Sequence, residues 1–261
     1  MSGEGDRLPL EHVSPGESFS ALLRSRGLEP RWETAGAIAA PEGTTVIAFR
    51  YADGVVMAGD RRATAGNLIA HRNVQKVFQA DALSAVAISG TAGIAIELIK
   101  LFQTELEHYE KLEGRRLSLD GKANYLASMI RRQLPMAFQG LVVIPLFCGY
   151  DVGAGRGRLY SFDLVGGRYE EAEYAAAGSG GRDAKLYLRT AHRPDLDEDA
   201  SLRLAVEALV AAAEEDTATG GPDLRRGIYP SIAVVTAEGV KELPDDVVGD
   251  VSRTVMEEDR S

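Results

Sequence analysis

The sequence predicts an α+β fold in which two antiparallel sheets stack face to face and helix pairs cover both outer faces, a four-layer αββα sandwich. Short apolar runs separated by turn signals fill residues 44–90 and again 140–178, which is typical of closely spaced antiparallel strands. Each strand block is followed by two segments of helical periodicity, and strands and helices do not alternate. This segregation favours antiparallel sheets over a doubly wound parallel sheet.

The first strand block contains the runs TTVIAFR, GVVMAGD, NVQKVFQ and SAVAISG, with turns at YADG and TAGN. A helix is then predicted over 93–113, because four apolar side chains fall on one helical face: Leu98, Leu101, Phe102 and Leu106. Gly114 is a helix-stop signal. A second helix is predicted over 121–134.

The second strand block contains GLVVIPLFCGYD, RLYSFDLV and RYEEAEYAAAG, and we expect each of these to be one strand. The pair Gly166-Gly167 predicts a tight hairpin between the last two. Helices are predicted over 181–190 and 200–215, followed by a late strand in IAVVTAEG. The acidic tail PDDVVGDVSRTVMEEDRS is interpreted as a solvated end.

The charge and the cysteine and histidine content of the chain disfavour several classes of function. The 261 residues carry a net charge of -10 and a pI near 5.0, which disfavours nucleic acid or an anionic membrane as a partner. The single cysteine, Cys148, lies in an apolar run, so we expect a buried, inert thiol and a reducing compartment. The four histidines are far apart and lack metal-ligand spacing. The acidic start and the lack of an apolar stretch of ~18 residues predict neither secretion nor membrane insertion.

Residues 1–43 differ from the rest, with polar turns and a Pro/Gly/Ala-rich end, and we interpret them as an appended segment. The motif GTT follows at 43–45. A threonine hydroxyl needs a base, and at a chain terminus the residue's own α-amine, with a pKa of ~7.7–8.0, can act as one. Cleavage of the Gly43–Thr44 bond would therefore create nucleophile and base in one residue. Gly43 lacks a Cβ and permits the tight backbone that this self-cleavage needs.

Two charged residues are candidates for tuning such a site. Asp60 ends an apolar strand, and Lys76 is flanked by apolar residues in NVQKVFQ. Charges in apolar strands are usually paired, so an Asp60–Lys76 ion pair is expected even without a catalytic role. Near Thr44 the pair would supply positive charge that lowers the proton affinity of hydroxyl and amine.

The motifs GTT, GVVMAGDRR, NVQKV, AISGTAG, AAGSGG and DTATGG, in this order, resemble the active β subunits of the 20S proteasome, which are N-terminal-nucleophile hydrolases. The resemblance covers most of 43–237. ELEHYEKLEG and GGPDLRRGIYP are similar to the actinobacterial form. No single motif is specific, because a GTT tripeptide is common, but the ordered set is.

The resemblance implies the remaining roles. Thr44 falls at the nucleophile, Asp60 and Lys76 at its polarising pair, and Gly90 at the backbone donor to the oxyanion. Ser179, Asp216 and Thr219 fall at residues that orient the terminal amine and its water. Thr64 and Ala92 match positions whose backbone pairs with an extended substrate. A primary specificity pocket is matched by four apolar residues, which imply cleavage after hydrophobic residues: Ala63, Val74, Ile88 and Ala92.

The resemblance also implies that 1–43 is a self-removed propeptide and 44–261 the catalytic domain. It implies a homo-heptameric β ring, two of which lie between rings of α subunits, and a cytoplasmic ring-shaped ATPase that supplies unfolded or tagged proteins. No metal or organic cofactor is implied.

Alternatives remain open. A serine hydrolase could use Ser179, although AAGSGG has Ala177 where the G-x-S-x-G elbow needs glycine, and only His192 follows as a base. A catalytically silent ring subunit would be expected to lose the threonine, the lysine or the processing glycine, all of which are present. A metabolic amidase of the wider group fits the motifs after Thr44 less well, and the bacterial ring protease with a shorter mature chain fits less well because of the long segment before Thr44.

Overall fold

In the computed structural model, residues 43–66 and 68–258 are described, and they form two five-stranded antiparallel sheets with helices. The first sheet has the strand order β10-β1-β2-β11-β12. Its strands are β1 (Thr45–Arg50), β2 (Val55–Gly59), β10 (Tyr174–Gly178), β11 (Ser231–Thr236) and β12 (Gly239–Glu242).

The second sheet follows chain order. Its strands are β5 (Val77–Asp81), β6 (Ser84–Gly90), β7 (Val143–Asp151), β8 (Arg156–Phe162) and β9 (Arg168–Glu171). A separate hairpin joins β3 (Ala63–Ala65) to β4 (Leu68–His71).

Six helices are described in the same part of the chain. They are α1 (Ala92–Glu113), α2 (Leu119–Arg132), the short α3 (Leu134–Ala137), α4 (Gly181–Ala191), α5 (Glu198–Glu215) and α6 (Asp245–Glu258). Gly114 ends α1 in the left-handed conformation, as predicted. Ser118 caps α2 by accepting a hydrogen bond from the Gly121 N–H.

Side-chain alternation along β1 builds the layers. Val46 and Ala48 point into an apolar cluster between the two sheets, with residues of β6, β7 and β8. Ile47 and Phe49 point the other way, into a cluster with α4 and α5. A third cluster fills the space between the second sheet and α1 and α2. Because successive strand side chains face opposite sides, an apolar strand such as β1 must be covered on both faces. The αββα prediction is confirmed.

The predicted strand over 168–178 is wrong as one element. Its two halves form β9 and β10, which belong to different sheets. Ala172 and Glu173 between them are exposed. The chain crosses from one sheet to the other here, so the strand blocks of the sequence do not correspond one to one with the sheets.

The prediction of a solvated acidic tail is also wrong over 245–258, where the chain forms α6. Val248 and Val255 are buried, in the cluster that α5 and the first sheet share. Acidic residues occupy the exposed face of this amphipathic helix, which is why composition alone suggested a solvated end.

Smaller predictions need adjustment. Leu101 is 52% exposed, and the buried face of α1 instead includes Ala95 and Ile99. The Gly166-Gly167 hairpin exists, but it is a five-residue connection from 163 to 167. The predicted late strand in IAVVTAEG is confirmed, because this run contains five of the six residues of β11 and the turn to β12.

Cys148 is buried between the sheets, as predicted, and burial raises the pKa of its thiol to about 12. A thiol with such a pKa is protonated and unreactive at neutral pH. None of the described helices is both long and apolar enough to cross a membrane. The predicted propeptide, apart from Gly43, lies outside the described residues.

Candidate active site

Thr44 lies immediately before β1 and is 3% exposed. Its carbonyl accepts a hydrogen bond from the Ser179 N–H at 2.9 Å, just beyond the end of β10. Its hydroxyl oxygen accepts one from the Gly90 N–H at 3.1 Å, at the end of β6. The residue is thus held by both sheets.

The backbone of Gly90 is in the left-handed region, with φ of 106°. A Cβ at this position would lie 2.1 Å from the Val142 carbonyl oxygen. Glycine is therefore required to turn this N–H toward Thr44. A backbone N–H fixed in this way can stabilise negative charge on an oxyanion close to the threonine hydroxyl.

Gly43 is held against the turn that follows α5. Its N–H donates to the Thr64 hydroxyl oxygen at 3.0 Å. A Cβ on Gly43 would lie 2.0 Å from the Ala218 Cβ. A larger residue would have to displace the peptide bond between positions 43 and 44.

Asp60 and Lys76 form the predicted ion pair, with Lys76 Nζ 2.5 Å from Asp60 Oδ1 and the two side chains 0% and 1% exposed. Lys76 also donates to the Arg62 carbonyl at 2.5 Å. The other Asp60 oxygen accepts the N–H groups of Arg62 and Gly220, both at 2.9 Å. These bonds offset the cost of burying the two charges.

Ser179, Asp216 and Thr219 come together, as predicted. The Ser179 and Thr219 hydroxyls donate to the same Asp216 oxygen, at 2.5 and 2.6 Å. Burial, the largest single influence, would raise the pKa of Asp216, but hydrogen bonds from the Ser179 and Thr219 hydroxyls and from the backbone N–H groups of Ala218 and Thr219 together hold that pKa below its ordinary value. The carboxylate is therefore charged at neutral pH, and Ser179, whose N–H binds the Thr44 carbonyl, connects it to the nucleophile.

Of the predicted substrate-contacting residues, Thr64 is linked to the site, because its hydroxyl accepts the Gly43 N–H. Thr64 is in β3 and Ala92 is the first residue of α1. Of the four pocket residues, Ala63 and Ile88 are buried, whereas Val74 and Ala92 are half-buried. Ile88 packs in the cluster beneath α1. The specificity pocket stays a prediction.

Sequence reasoning missed two contributors. The Thr45 hydroxyl lies 2.6 Å from that of Thr219, and its N–H donates to Asp60 at 2.8 Å. The Arg62 guanidinium donates to the carbonyls of Thr217 and Thr219. The only signal in the sequence was that Thr45 follows Thr44 directly and that Arg62 lies two residues after Asp60.

The geometry does not favour a triad at Ser179. The His192 ring packs against Phe49 and Tyr174, and its Nε2–H donates to the Arg50 carbonyl. Arg50 ends β1, five residues beyond Thr45, or about 16 Å at the usual strand rise. His192 therefore lies toward the opposite end of the strand from Ser179, whose hydroxyl is bound to a carboxylate. Among the described residues, no group of three or more His, Cys, Asp or Glu could hold a metal ion.

Comparison with known proteins agrees with this geometry. The profile of the family described as proteasome subunit matches residues 40–223. A protein of Acidimicrobium ferrooxidans named proteasome subunit beta is 53% identical, over 94% of this chain and 92% of its own length. Proteins of the same name from Streptomyces griseus and Stackebrandtia nassauensis are each 50% identical, over 96% and 98% of this chain and 92% and 97% of their own lengths. The chain therefore belongs to the proteasome subunit family, as one of its β-type members.

Proposed function

We propose that this chain is the precursor of a threonine endopeptidase that frees its own nucleophile by cutting between Gly43 and Thr44. One observation carries the proposal. The Thr44 hydroxyl receives the Gly90 N–H at 3.1 Å, while the next residue is anchored to the buried Asp60–Lys76 pair. A hydroxyl, an oxyanion donor and a buried lysine held by a carboxylate are the parts that acyl transfer needs.

Self-processing is an acyl shift followed by hydrolysis. The Thr44 oxygen attacks the Gly43 carbonyl carbon and gives up its proton to a base. The C–N bond then breaks, the nitrogen of Thr44 takes up a proton, and an ester joins Gly43 to the Thr44 oxygen. Water hydrolyses the ester, which releases residues 1–43 and leaves Thr44 with a free hydroxyl and α-amine.

Peptide cleavage repeats the chemistry on a substrate. The α-amine accepts the hydroxyl proton, Lys76 favours the ionised oxygen, and the Gly90 N–H stabilises the oxyanion. Ser179, Asp216 and Thr219 orient the amine. The scissile C–N bond of the substrate then breaks, the α-ammonium passes its proton to the leaving amine, and the acyl group stays on the Thr44 oxygen as an ester. Water hydrolyses this acyl-enzyme, which releases the second product and restores the hydroxyl.

The relatives' name is the basis for the assembly that we propose. The chain would form a homo-heptameric ring, stack in pairs between rings of α subunits, and degrade unfolded proteins delivered by a cytoplasmic ATPase ring. Cleavage after hydrophobic residues would follow from the apolar character of Ala63, Val74, Ile88 and Ala92.

The test is the intact mass and N-terminal sequence of the β subunit in active particles assembled with its α partner. We expect the chain to begin at Thr44. Its 218 residues would lack tryptophan, since Trp32 is the only one in the chain, so tryptophan emission should leave with the released peptide. Thr44→Ala should leave the chain uncut and the particles without peptidase activity.

Thr104→Ala, at an exposed threonine on α1, serves as the control and should be processed normally. Active particles whose β subunit still begins at Met1 would contradict the mechanism. Normal peptidase activity in Thr44→Ala particles would instead indicate another nucleophile, and unchanged assembly with no activity in the unmodified chain would indicate a silent ring subunit.

A further inference from the structure

Thr45, the second threonine of the GTT motif, has a fully buried side chain whose hydroxyl is bonded on two sides. It accepts a hydrogen bond from the Gly180 N–H at 2.9 Å. On the other side, it lies 2.6 Å from the Thr219 hydroxyl oxygen. A β-strand threonine can simply face a core, but this one faces the residues around Asp216.

The direction of these bonds is fixed. The Thr219 hydroxyl donates its single hydrogen bond to the Asp216 carboxylate, at 2.6 Å. A hydroxyl has a single proton to donate, so the proton between Thr45 and Thr219 belongs to Thr45. The order therefore runs from the Gly180 N–H through Thr45 and Thr219 to the Asp216 carboxylate. Chains of this kind polarise each donor in turn, which strengthens the last bond.

The backbone of Thr45 is tied to the other carboxylate of the site. Its N–H donates to Asp60 Oδ1 at 2.8 Å, the oxygen that also receives Lys76. The carbonyl of the same peptide unit, that of Thr44, accepts from the Ser179 N–H at 2.9 Å. Both polar ends of the peptide unit that follows the nucleophile are held, so the peptide plane cannot turn without breaking a buried hydrogen bond.

We propose that Thr45 is a positioning residue for the reaction of Thr44. Its hydroxyl is hydrogen-bonded through Thr219 to Asp216, and its N–H binds Asp60 of the Asp60–Lys76 pair. Together these bonds fix the peptide unit that joins Thr44 to Thr45. The inference rests on the proposed function. In this proposal Thr45 does not contact substrate. Thr45 affects the orientation of the Thr44 hydroxyl and amine relative to the Gly90 N–H.

The test variant is Thr45→Val, which keeps the shape and β-branching but removes the hydroxyl. A misplacement of about 1 Å at a reacting group can reduce the rate by about a hundredfold. We therefore expect kcat of the assembled particle on a short fluorogenic peptide to fall roughly ten- to a hundredfold, with KM changed by less than about twofold, because substrate contacts are intact. Thr45→Ser should restore most of kcat.

A double-variant cycle identifies the route. If Thr45 acts through Thr219, adding Thr45→Val to Thr219→Val should reduce kcat little further, since the link is already cut. If the fold-loss of kcat in the double variant equals the product of the two single-variant losses, Thr45 does not act through Thr219. A lower melting temperature with unchanged kcat in Thr45→Val would show a packing role only and would overturn the proposal.

A graded series covers the case in which Thr45→Val does not assemble. Thr45→Cys keeps a weaker donor of similar size, and the expected order of kcat is threonine, serine, then cysteine. Equal losses in serine and cysteine would contradict the proposal.

Labelling with a β-lactone separates this inference from the proposed function. In unmodified particles the label should add to the tryptic peptide 44–50. Absence of that adduct would overturn the proposed function itself. If the adduct forms, and forms equally fast in Thr45→Val, only the role of Thr45 fails.

Discussion

Asp60 accepts hydrogen bonds from one ammonium group and three backbone N–H groups, while it is fully buried. The backbone donors come from three separate segments: the start of β1, the segment after β2 and the turn after α5. A single carboxylate thus connects three segments of the chain that contribute to the site. The Lys76 ammonium supplies the positive charge that compensates the Asp60 carboxylate. Without Lys76, this buried carboxylate would be stabilised only by the backbone N–H groups.

Lys76→Met should lower the free energy of unfolding by about 3–5 kcal/mol, the usual effect of removing one partner from a buried ion pair, and should abolish peptidase activity. Lys122→Met is a matched control. Lys122 is 4% exposed and lies 2.5 Å from Asp81, away from Thr44. The Lys122→Met variant should lose a comparable free energy of unfolding and keep its peptidase activity once assembled. Urea unfolding and peptide turnover measure the two effects, and equal loss of turnover in both variants would reduce the role of Lys76 to stability.

The Asp60–Lys76 pair could be predicted from sequence, because an isolated charge in an apolar strand needs a partner. The part played by Thr45 could not. Threonine is ordinary at the start of a strand, and its hydroxyl partner is 174 residues away in the chain. The contact between Thr45 and Thr219 depends on how the first sheet packs against the turn after α5. No local sequence pattern predicts that packing.

At the scale of elements, α6 shows how composition can mislead. The segment 245–258 has five acids, all in exposed positions, and few large apolar residues, yet Val248 and Val255 lie in the core. The strand boundary at Ala172 was missed for a related reason. No Pro, Asn, Asp or Gly interrupts 168–177, and the change of sheet depends on which partner strands lie alongside.

Two adjacent valines test the packing of α6. Val248 is 1% exposed and Val247 is 40% exposed. Val248→Asp should cost on the order of 3 kcal/mol of unfolding free energy, because it removes a buried valine and introduces a charge into an apolar cluster. Val247→Asp should change stability by less than about 0.5 kcal/mol. Thermal unfolding of the two variants measures this, and equal effects would mean that α6 does not pack on the core.

At the scale of the molecule, the site gathers residues from both sheets. Thr44 precedes β1, Asp60 follows β2, Lys76 precedes β5 and Gly90 ends β6. In antiparallel sheets these positions fall at one end of the sandwich. Layer order was predictable from the two-sided burial of strands such as β1, but strand order was not. The first sheet combines strands that are more than a hundred residues apart, and only tertiary packing selects them.

A second set of charges crosslinks the other sheet, away from Thr44. Arg158 of β8 contacts Asp120 of α2, Asp151 of β7 and Glu170 of β9. Arg168 also pairs with Asp120 at 2.7 Å. Both arginines lie over the Tyr160 ring, 5.3 and 5.2 Å from its centroid. This cluster joins three strands to the helix that covers them.

The cluster predicts acid sensitivity. Hydrogen bonds from Arg158 and Arg168 lower the pKa of Asp120 from 3.8 to about 2. A carboxyl whose pKa is lower in the folded state stabilises the fold above its unfolded value, near 3.8, and this contribution disappears as the pH falls toward about 2. Asp120 is about half exposed, and solvent screening therefore limits the contribution to about 1 kcal/mol.

Asp120→Asn should accordingly reduce the free energy of unfolding by about 1 kcal/mol at pH 7 and low salt, and the difference from the unmodified chain should shrink below pH 4 and vanish near pH 2. Urea unfolding of the full chain at a series of pH values measures it. Glu107→Gln is the control, because its pair with Lys111 on α1 is fully exposed and should contribute nothing measurable. A difference for Asp120→Asn that stays constant from pH 7 to pH 2 would show that packing, and not the charge of Asp120, accounts for its effect on stability.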